Sequence, residues 1–167
     1  MAVANRAMNV YLNDHLAGAM LGSDLAEQIR QRHEGTPLGD LMASIAPQIE
    51  DDRQILVDLM ERMDISKNPL KQASGWLAEK ASRVKFSGVG SGEPDESAFM
   101  ALELLTLGVE GKASMWKVLK EVQSHYQPLA AMNLDELIDR AGAQYAALER
   151  ERMAAGALAL ADGADRS

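Results

Sequence analysis

Three ionisable side chains lie on predicted apolar helix faces, where they could do chemistry inside the folded chain: His15, Asp52 and Arg152. A fourth, Glu110, lies on the one polar strip of a predicted helix that is otherwise apolar, within reach of Arg152. One imidazole combined with two or three carboxylates is a ligand mixture that suits iron, manganese or zinc. His15, Asp52, Glu110 and the flanking Glu103 therefore form one candidate ligand set for a divalent metal. A buried charge without a partner is strongly unfavourable, so the alternative is a polar layer in which the charged groups neutralise one another.

The spacing along the chain predicts two pairs for such a layer. A first hairpin that turns near Gly35 places Asp52 about 4.5 Å along the helix axis from the level of His15. The same rise per residue, applied to a second hairpin turning near position 130, places Arg152 about 3 Å from the level of Glu110. We favour this structural interpretation over the metal site, because buried ionisable groups in helical bundles are usually satisfied by a partner.

Familiar catalytic motifs are absent from the sequence. It contains no His-x-x-x-His, no Glu-x-x-His, no Gly-x-Ser-x-Gly elbow and no cysteine. The lack of cysteine excludes disulfides, zinc–thiolate sites, iron–sulfur ligation and thiol nucleophiles. The glycine-rich stretch Gly88–Pro94 lacks the Gly-Lys-Ser/Thr ending and the flanking strand of a phosphate loop. No residue is predicted to be catalytic or to bind an organic cofactor, and we expect a protein that is not an enzyme.

Charge and hydropathy limit the partners. The 167 residues carry a net charge of -8, which opposes binding to the phosphate backbone of nucleic acid. No run of about 18 apolar residues occurs, and the first residues lack the basic segment, apolar core and cleavage site of a signal peptide. We therefore expect a cytoplasmic protein that binds neither nucleic acid nor membrane.

Apolar periodicity predicts an all-α chain. Aromatic residues are only 4% of the sequence, and Ala, Leu and Met carry most of the apolar content, a mixture that favours helices over strands. Gly, Pro and capping residues divide the periodic segments. The predicted helices run from about Ala4 to Glu34, Pro37 to Met63, Pro69 to Phe86, Asp95 to Ser124, and from Asn133 or Asp135 onward. We expect one domain over residues 1–161 and a disordered tail over residues 162–167.

Two long hairpins joined by a crossover with a shorter helix resemble the ferritin-like four-helix bundle. The resemblance covers the first, second, fourth and fifth predicted helices, and it implies two Glu ligands plus two Glu-x-x-His motifs for a di-iron centre. The nearest strings here end in arginine instead of histidine: Glu50-Asp51-Asp52-Arg53 and Glu149-Arg150-Glu151-Arg152. Arginine offers no lone pair to a metal and repels a cation. The resemblance thus implies a ferritin-like bundle without the standard di-iron site, with an iron- or manganese-binding oxidoreductase or storage protein as the alternative.

Two sequence segments are also similar to bacterial helical proteins with no assigned activity: Tyr11-Leu-Asn-Asp-His-Leu-Ala-Gly and Leu107-Gly-Val-Glu-Gly-Lys.

The fourth predicted helix is apolar nearly all round. One flank carries Phe99, Leu102, Leu105, Val109 and Trp116, and another carries Leu104, Leu107, Met115, Val118 and Val122. A helix of this kind is usually covered on more than one side, so we expect either the predicted third helix or a second subunit to pack against it. We favour a homodimer through this helix. The expected function is that of a non-catalytic interaction or oligomerisation module.

Overall fold

The computed structural model describes residues 4–68 and 94–161, and within them it is all-helical with no strand. The helices are α1 (Arg6–Arg32), α2 (Pro37–Arg62), α3 (Pro94–Glu121), the short α4 (Gln127–Ala130) and α5 (Leu134–Ala161), with one 3-10 turn at Gln123–His125. The all-α prediction is confirmed. The predicted third helix, Pro69 to Phe86, and the tail at residues 162–167 lie outside the described residues.

The first hairpin turns where the sequence predicts. The backbone amide of His33 closes the last turn of α1 on the Ile29 carbonyl, at 3.1 Å. Gly35 follows with a φ of 77°, a left-handed conformation that glycine adopts without a steric penalty. Thr36 then caps α2, because its hydroxyl oxygen accepts from the Gly39 amide at 3.2 Å. This short turn forces α1 and α2 to run antiparallel.

The second turn is longer than a simple hairpin loop. The 3-10 turn and α4 both lie between α3 and α5. The side-chain amide of Gln123 donates to the carbonyls of Leu129 and Met132, at 2.9 and 3.0 Å, and so holds this segment in place. Leu129 is completely buried, which anchors α4 on the core. The extra helical turns change which residues of α3 and α5 stand level with each other.

Contacts between helices fix their directions. α3 runs antiparallel to α1, since Arg32 at the end of α1 donates to Ser97 at the start of α3 over 3.5 Å. α5 runs antiparallel to α3, since Arg152 near its end binds Glu103 near the start of α3 at 2.7 Å. α1 and α5 therefore point one way, and α2 and α3 point the other. Because α2 and α3 are parallel, the end of α2 at Arg62 and the start of α3 at Pro94 lie at opposite ends of the bundle.

Two apolar clusters fill the bundle, one toward each end. The first surrounds Trp116 and includes Leu12, Leu56, Leu59, Met60, Leu119, Leu129 and Leu134. The second includes Ala26, Ile29, Met42, Ile49, Leu102, Leu105 and Leu148. Along α2, Asp52 falls between Ile49 of one cluster and Leu56 of the other. The apolar core is therefore interrupted near its middle by a charged residue.

None of the described helices is both long enough and apolar enough to cross a membrane.

Candidate functional site

Asp52 is the centre of a buried ionic layer. Only 1% of this residue is exposed, and its carboxylate accepts hydrogen bonds from two cations. Lys112 of α3 donates to Oδ2 at 2.5 Å, and Arg140 of α5 donates to Oδ1. Gln144 of α5 adds a longer contact to Oδ2, at 3.4 Å. Both carboxylate oxygens thus have charged donors, which is what allows an ionised group to be buried here.

Two glutamine side chains extend this arrangement and tie three helices together. The Lys112 ammonium also donates to Gln144 Oε1 at 2.5 Å. Gln144 in turn donates from Nε2 to Gln48 Oε1 at 3.2 Å. We call Gln48, Asp52, Lys112, Arg140 and Gln144 the ionic layer. It joins α2, α3 and α5 at the level that separates the two apolar clusters.

The ionic layer carries one more formal positive charge than negative charge. Its ionisable groups are one carboxylate, one ammonium and one guanidinium. Burial lowers the pKa of Lys112 and Arg140 adds to the lowering, while the Asp52 carboxylate acts in the opposite direction. The Nε of Arg140 is buried without a hydrogen-bond partner among the described residues. Cations therefore surround the one buried carboxylate on its α3 and α5 sides.

His15 does not reach this layer, contrary to the expected His15–Asp52 pair. Its ring lies edge-on to Tyr11, with ring centroids 4.6 Å apart. Burial lowers the pKa of His15, and the nearby Asp14 partly opposes that shift. The pairing fails because the Ser23–Glu50 contact sets the hairpin register three residues away from the assumed one. Asp52 is then level with position 21, about 9 Å along the axis from His15.

The second expected pair, Glu110–Arg152, is also not formed. Glu110 is exposed. Arg152 donates instead to Glu103 at 2.7 Å and to Glu149 at 2.6 Å, and these carboxylates raise the pKa of Arg152. The physical reason is that α3 ends at Glu121 and α5 begins at Leu134. The connection is therefore centred near position 128 instead of 130, which sets Arg152 level with Glu103 instead of with Gly108. This second cluster lies at the bundle surface, since the side chain of Glu103 is 39% exposed.

The four predicted metal ligands are not gathered at one place. Asp52 is in the ionic layer, His15 is against Tyr11, Glu103 is bound to Arg152, and Glu110 is exposed. Within residues 4–68 and 94–161, no group of three or more histidine, aspartate or glutamate side chains could hold a metal ion. A cation placed at Asp52 would also meet the charges of Lys112 and Arg140, which repel it.

The sequence interpretation missed Lys112, Arg140 and Gln144, although two of them carry a readable signal. Lys112 lies three residues after Val109 and four before Trp116, both of which are buried. Gln144 has the same 3–4 spacing relative to Ala141 and Leu148, two residues of the predicted inner face of the last helix. Such positions face the core. The sequence does not show which face of α3 is the inner one, because apolar residues lie nearly all round this helix. The position of Lys112 on the inner face was therefore missed.

No protein-family model matches this chain, and no curated protein or solved structure matches it either. Its function is therefore argued from the helices and their side chains.

Proposed function

We propose that this chain is a ferritin-like helical bundle that acts as a non-catalytic interaction module, with an interior held together by side-chain charges. The helix directions support the ferritin-like arrangement. α1 and α5 run opposite to α2 and α3, and the parallel pair needs the long crossover that this architecture uses. The bundle would then present its outer helix faces to a partner, while its interior has a structural role.

The main support for this proposal is that the buried carboxylate of Asp52 already has hydrogen-bond donors on both oxygens. In a metal-binding bundle, carboxylates from facing helices project inward and leave oxygen lone pairs for the ion. Here the buried carboxylate already accepts from Lys112, Arg140 and Gln144. These three contacts come from two other helices. The position that could bind a cation is occupied by the protein's own cations, which supports a structural role.

An iron- or manganese-binding oxidoreductase or storage protein is the other candidate. It would use His15, Asp52, Glu110 and Glu103 as ligands. No contact among the described residues favours it, since each of these side chains has a different environment. We therefore do not propose it alongside the interaction module.

Elemental analysis tests the choice directly. Protein purified without chelators is expected to contain iron, manganese and zinc far below one atom per chain. The content should be the same in the wild type, His15→Ala and Asp52→Asn. One metal atom per chain that is lost on either substitution would overturn the structural interpretation of the interior.

A further inference from the structure

The outer face of α3 carries a stripe with the spacing of a coiled-coil seam. The residues of the stripe alternate by four and three positions: Met100, Leu104, Leu107, Gly111, Ser114 and Val118. At about 100° per residue they lie on the side of α3 opposite Leu102, Leu105 and Val109, which are buried. Three of its large apolar side chains are exposed: Met100 by 45%, Leu107 by 46% and Val118 by 50%. Leu104 packs against the second apolar cluster, whereas Met100, Leu107 and Val118 belong to neither apolar cluster of the described bundle. These three side chains therefore have no partner in the apolar core that the structure describes.

We infer that the seam pairs with the same seam of a second copy of this chain, with the two α3 helices antiparallel. This inference rests on the proposed function and names the partner that the interaction module binds. Placing residue i opposite residue 218 − i aligns every apolar position of the stripe. Met100 then faces Val118 of the second copy, Leu104 faces Ser114, and Leu107 faces Gly111. The two-fold axis passes near position 109.

The layers of this arrangement are complementary in size. Each one opposes a larger side chain to a smaller one, and Gly111 leaves room for Leu107 of the second copy. A Cβ placed on Gly111 meets no atom of the described residues within 4 Å, so the space beside it lies outside the described bundle. Glycine in mid-helix is unfavourable by up to about 1 kcal/mol relative to alanine. A close helix crossing at this point gives that glycine a role.

Charges along one edge of the seam select the antiparallel direction. Glu103, Glu110 and Lys117 follow each other at intervals of seven residues. The antiparallel arrangement brings Glu103 near Lys117 of the second copy, and symmetry repeats this contact. A parallel arrangement would instead place this edge opposite the other edge of the seam, which carries Ala101, Gly108 and Met115, so the Glu103–Lys117 contact would be lost. The antiparallel axis leaves one like-charge contact, between the two copies of Glu110.

That symmetric contact provides the first test. Equimolar wild type and Glu110→Lys should form a mixed dimer about three- to tenfold tighter than the wild-type dimer, measured by sedimentation of fluorescently labelled protein. Asp51→Lys is the matched control, because it makes the same charge change at an exposed position of α2. It should give no preference for the mixed dimer. Equal affinities for Glu110→Lys and the control would refute the proposed axis.

Cross-linking provides the second test, because the natural chain has no cysteine. Met100→Cys mixed with Val118→Cys should form an intermolecular disulfide on oxidation, whereas Met100→Cys alone should not. A cross-link between two Met100→Cys chains would indicate parallel helices and overturn the inference.

Gly111→Leu tests the fit of the seam itself. It should weaken self-association at least tenfold while the helical circular dichroism and the melting temperature stay at wild-type values or rise. Gly142→Leu on α5 is the control, because a Cβ there also meets no atom within 4 Å in the part of the chain that the structure describes. It should leave self-association unchanged.

The failure of this inference is distinguishable from failure of the proposed function. A wild type that sediments as a monomer at about 100 μM would refute the second copy, and the seam would then serve another partner or residues 69–93. The proposed non-catalytic interior would still be decided by the metal content.

Discussion

Replacing Asp52 with asparagine should strongly destabilise the protein. The amide keeps the size of the side chain but removes its charge, so Lys112 and Arg140 lose their shared counter-ion. Removing one partner of a buried ion pair typically lowers the free energy of unfolding by about 3–5 kcal/mol. The side chains of Lys112 and Arg140 are 14% and 27% exposed, so water compensates part of this effect and we expect about 3 kcal/mol. That is a large share of the about 5–15 kcal/mol that holds a typical domain folded.

Urea unfolding at pH 7, followed by circular dichroism, measures this change. The midpoint should fall while the dependence of free energy on urea stays constant, since the same surface is exposed on unfolding. Asp52→Asn combined with Lys112→Met should recover at least about 1 kcal/mol, because the double variant no longer buries that ammonium. Asp51→Asn, an exposed neighbour, should change stability by less than about 0.5 kcal/mol. An equally small effect for Asp52→Asn would refute the reasoning.

Three further predictions concern other parts of the bundle. Burial lowers the pKa of His15 below its value of about 6.5 in the unfolded chain, so the unfolded chain binds the proton more readily. The free energy of unfolding should therefore fall as the pH drops from 6.5 toward 5. His15→Gln should make this dependence of stability on pH less steep. Gly39→Ala should destabilise by about 1–3 kcal/mol, because the new Cβ would lie 2.0 Å from the backbone oxygen of His33; thermal unfolding measures it. Asn13→Ala should lower the unfolding free energy by about 1–3 kcal/mol, because the completely buried Asn13 accepts from the Asn68 amide at 2.6 Å and its loss leaves that donor unpaired.

Each of these predictions can be contradicted by one result. A wild-type slope in His15→Gln would exclude His15 as the source of the pH dependence. Gly142→Ala should be neutral or stabilising, since space is open there, and a similar result for Gly39→Ala would contradict the close approach to His33. A wild-type melting curve for Asn13→Ala would mean that its contacts add no stability.

The helices could be predicted from the sequence because their signals are local. Thr36 and Pro37 indicate the start of α2, and Gly35 allows the turn before it. This boundary could therefore be predicted from the local sequence alone. The predicted burial of Asp52 within its apolar arc has the same origin, and the residue is 1% exposed. Periodicity of this kind identifies the inner face of a helix without saying what it meets.

The partners of Asp52 depend on the register between helices, which is not a local property. The first hairpin differs by three residues from the assumed register. The second differs by about five, because the connection from Glu121 to Leu134 is centred near position 128 instead of 130. These offsets explain why Asp52 binds Lys112 and Arg140 instead of His15. Long cationic side chains also reach the interior from the edge of a face, since their methylene stems pack on apolar neighbours. A prediction based on the centre of each face overlooks them.

Nuclear magnetic resonance of Lys112 and Asp52 can show whether the ammonium of Lys112 neutralises Asp52 inside the bundle. With the Asp52 carboxylate carbon assigned by comparison with Asp52→Asn, we expect a protonated Lys112 hydrogen-bonded to that carboxylate at pH 7. Stoichiometric manganese should leave both resonances unchanged. A neutral Lys112, or broadening of the Asp52 resonance by one equivalent of manganese, would mean that the ionic layer does not hold its charges in this way.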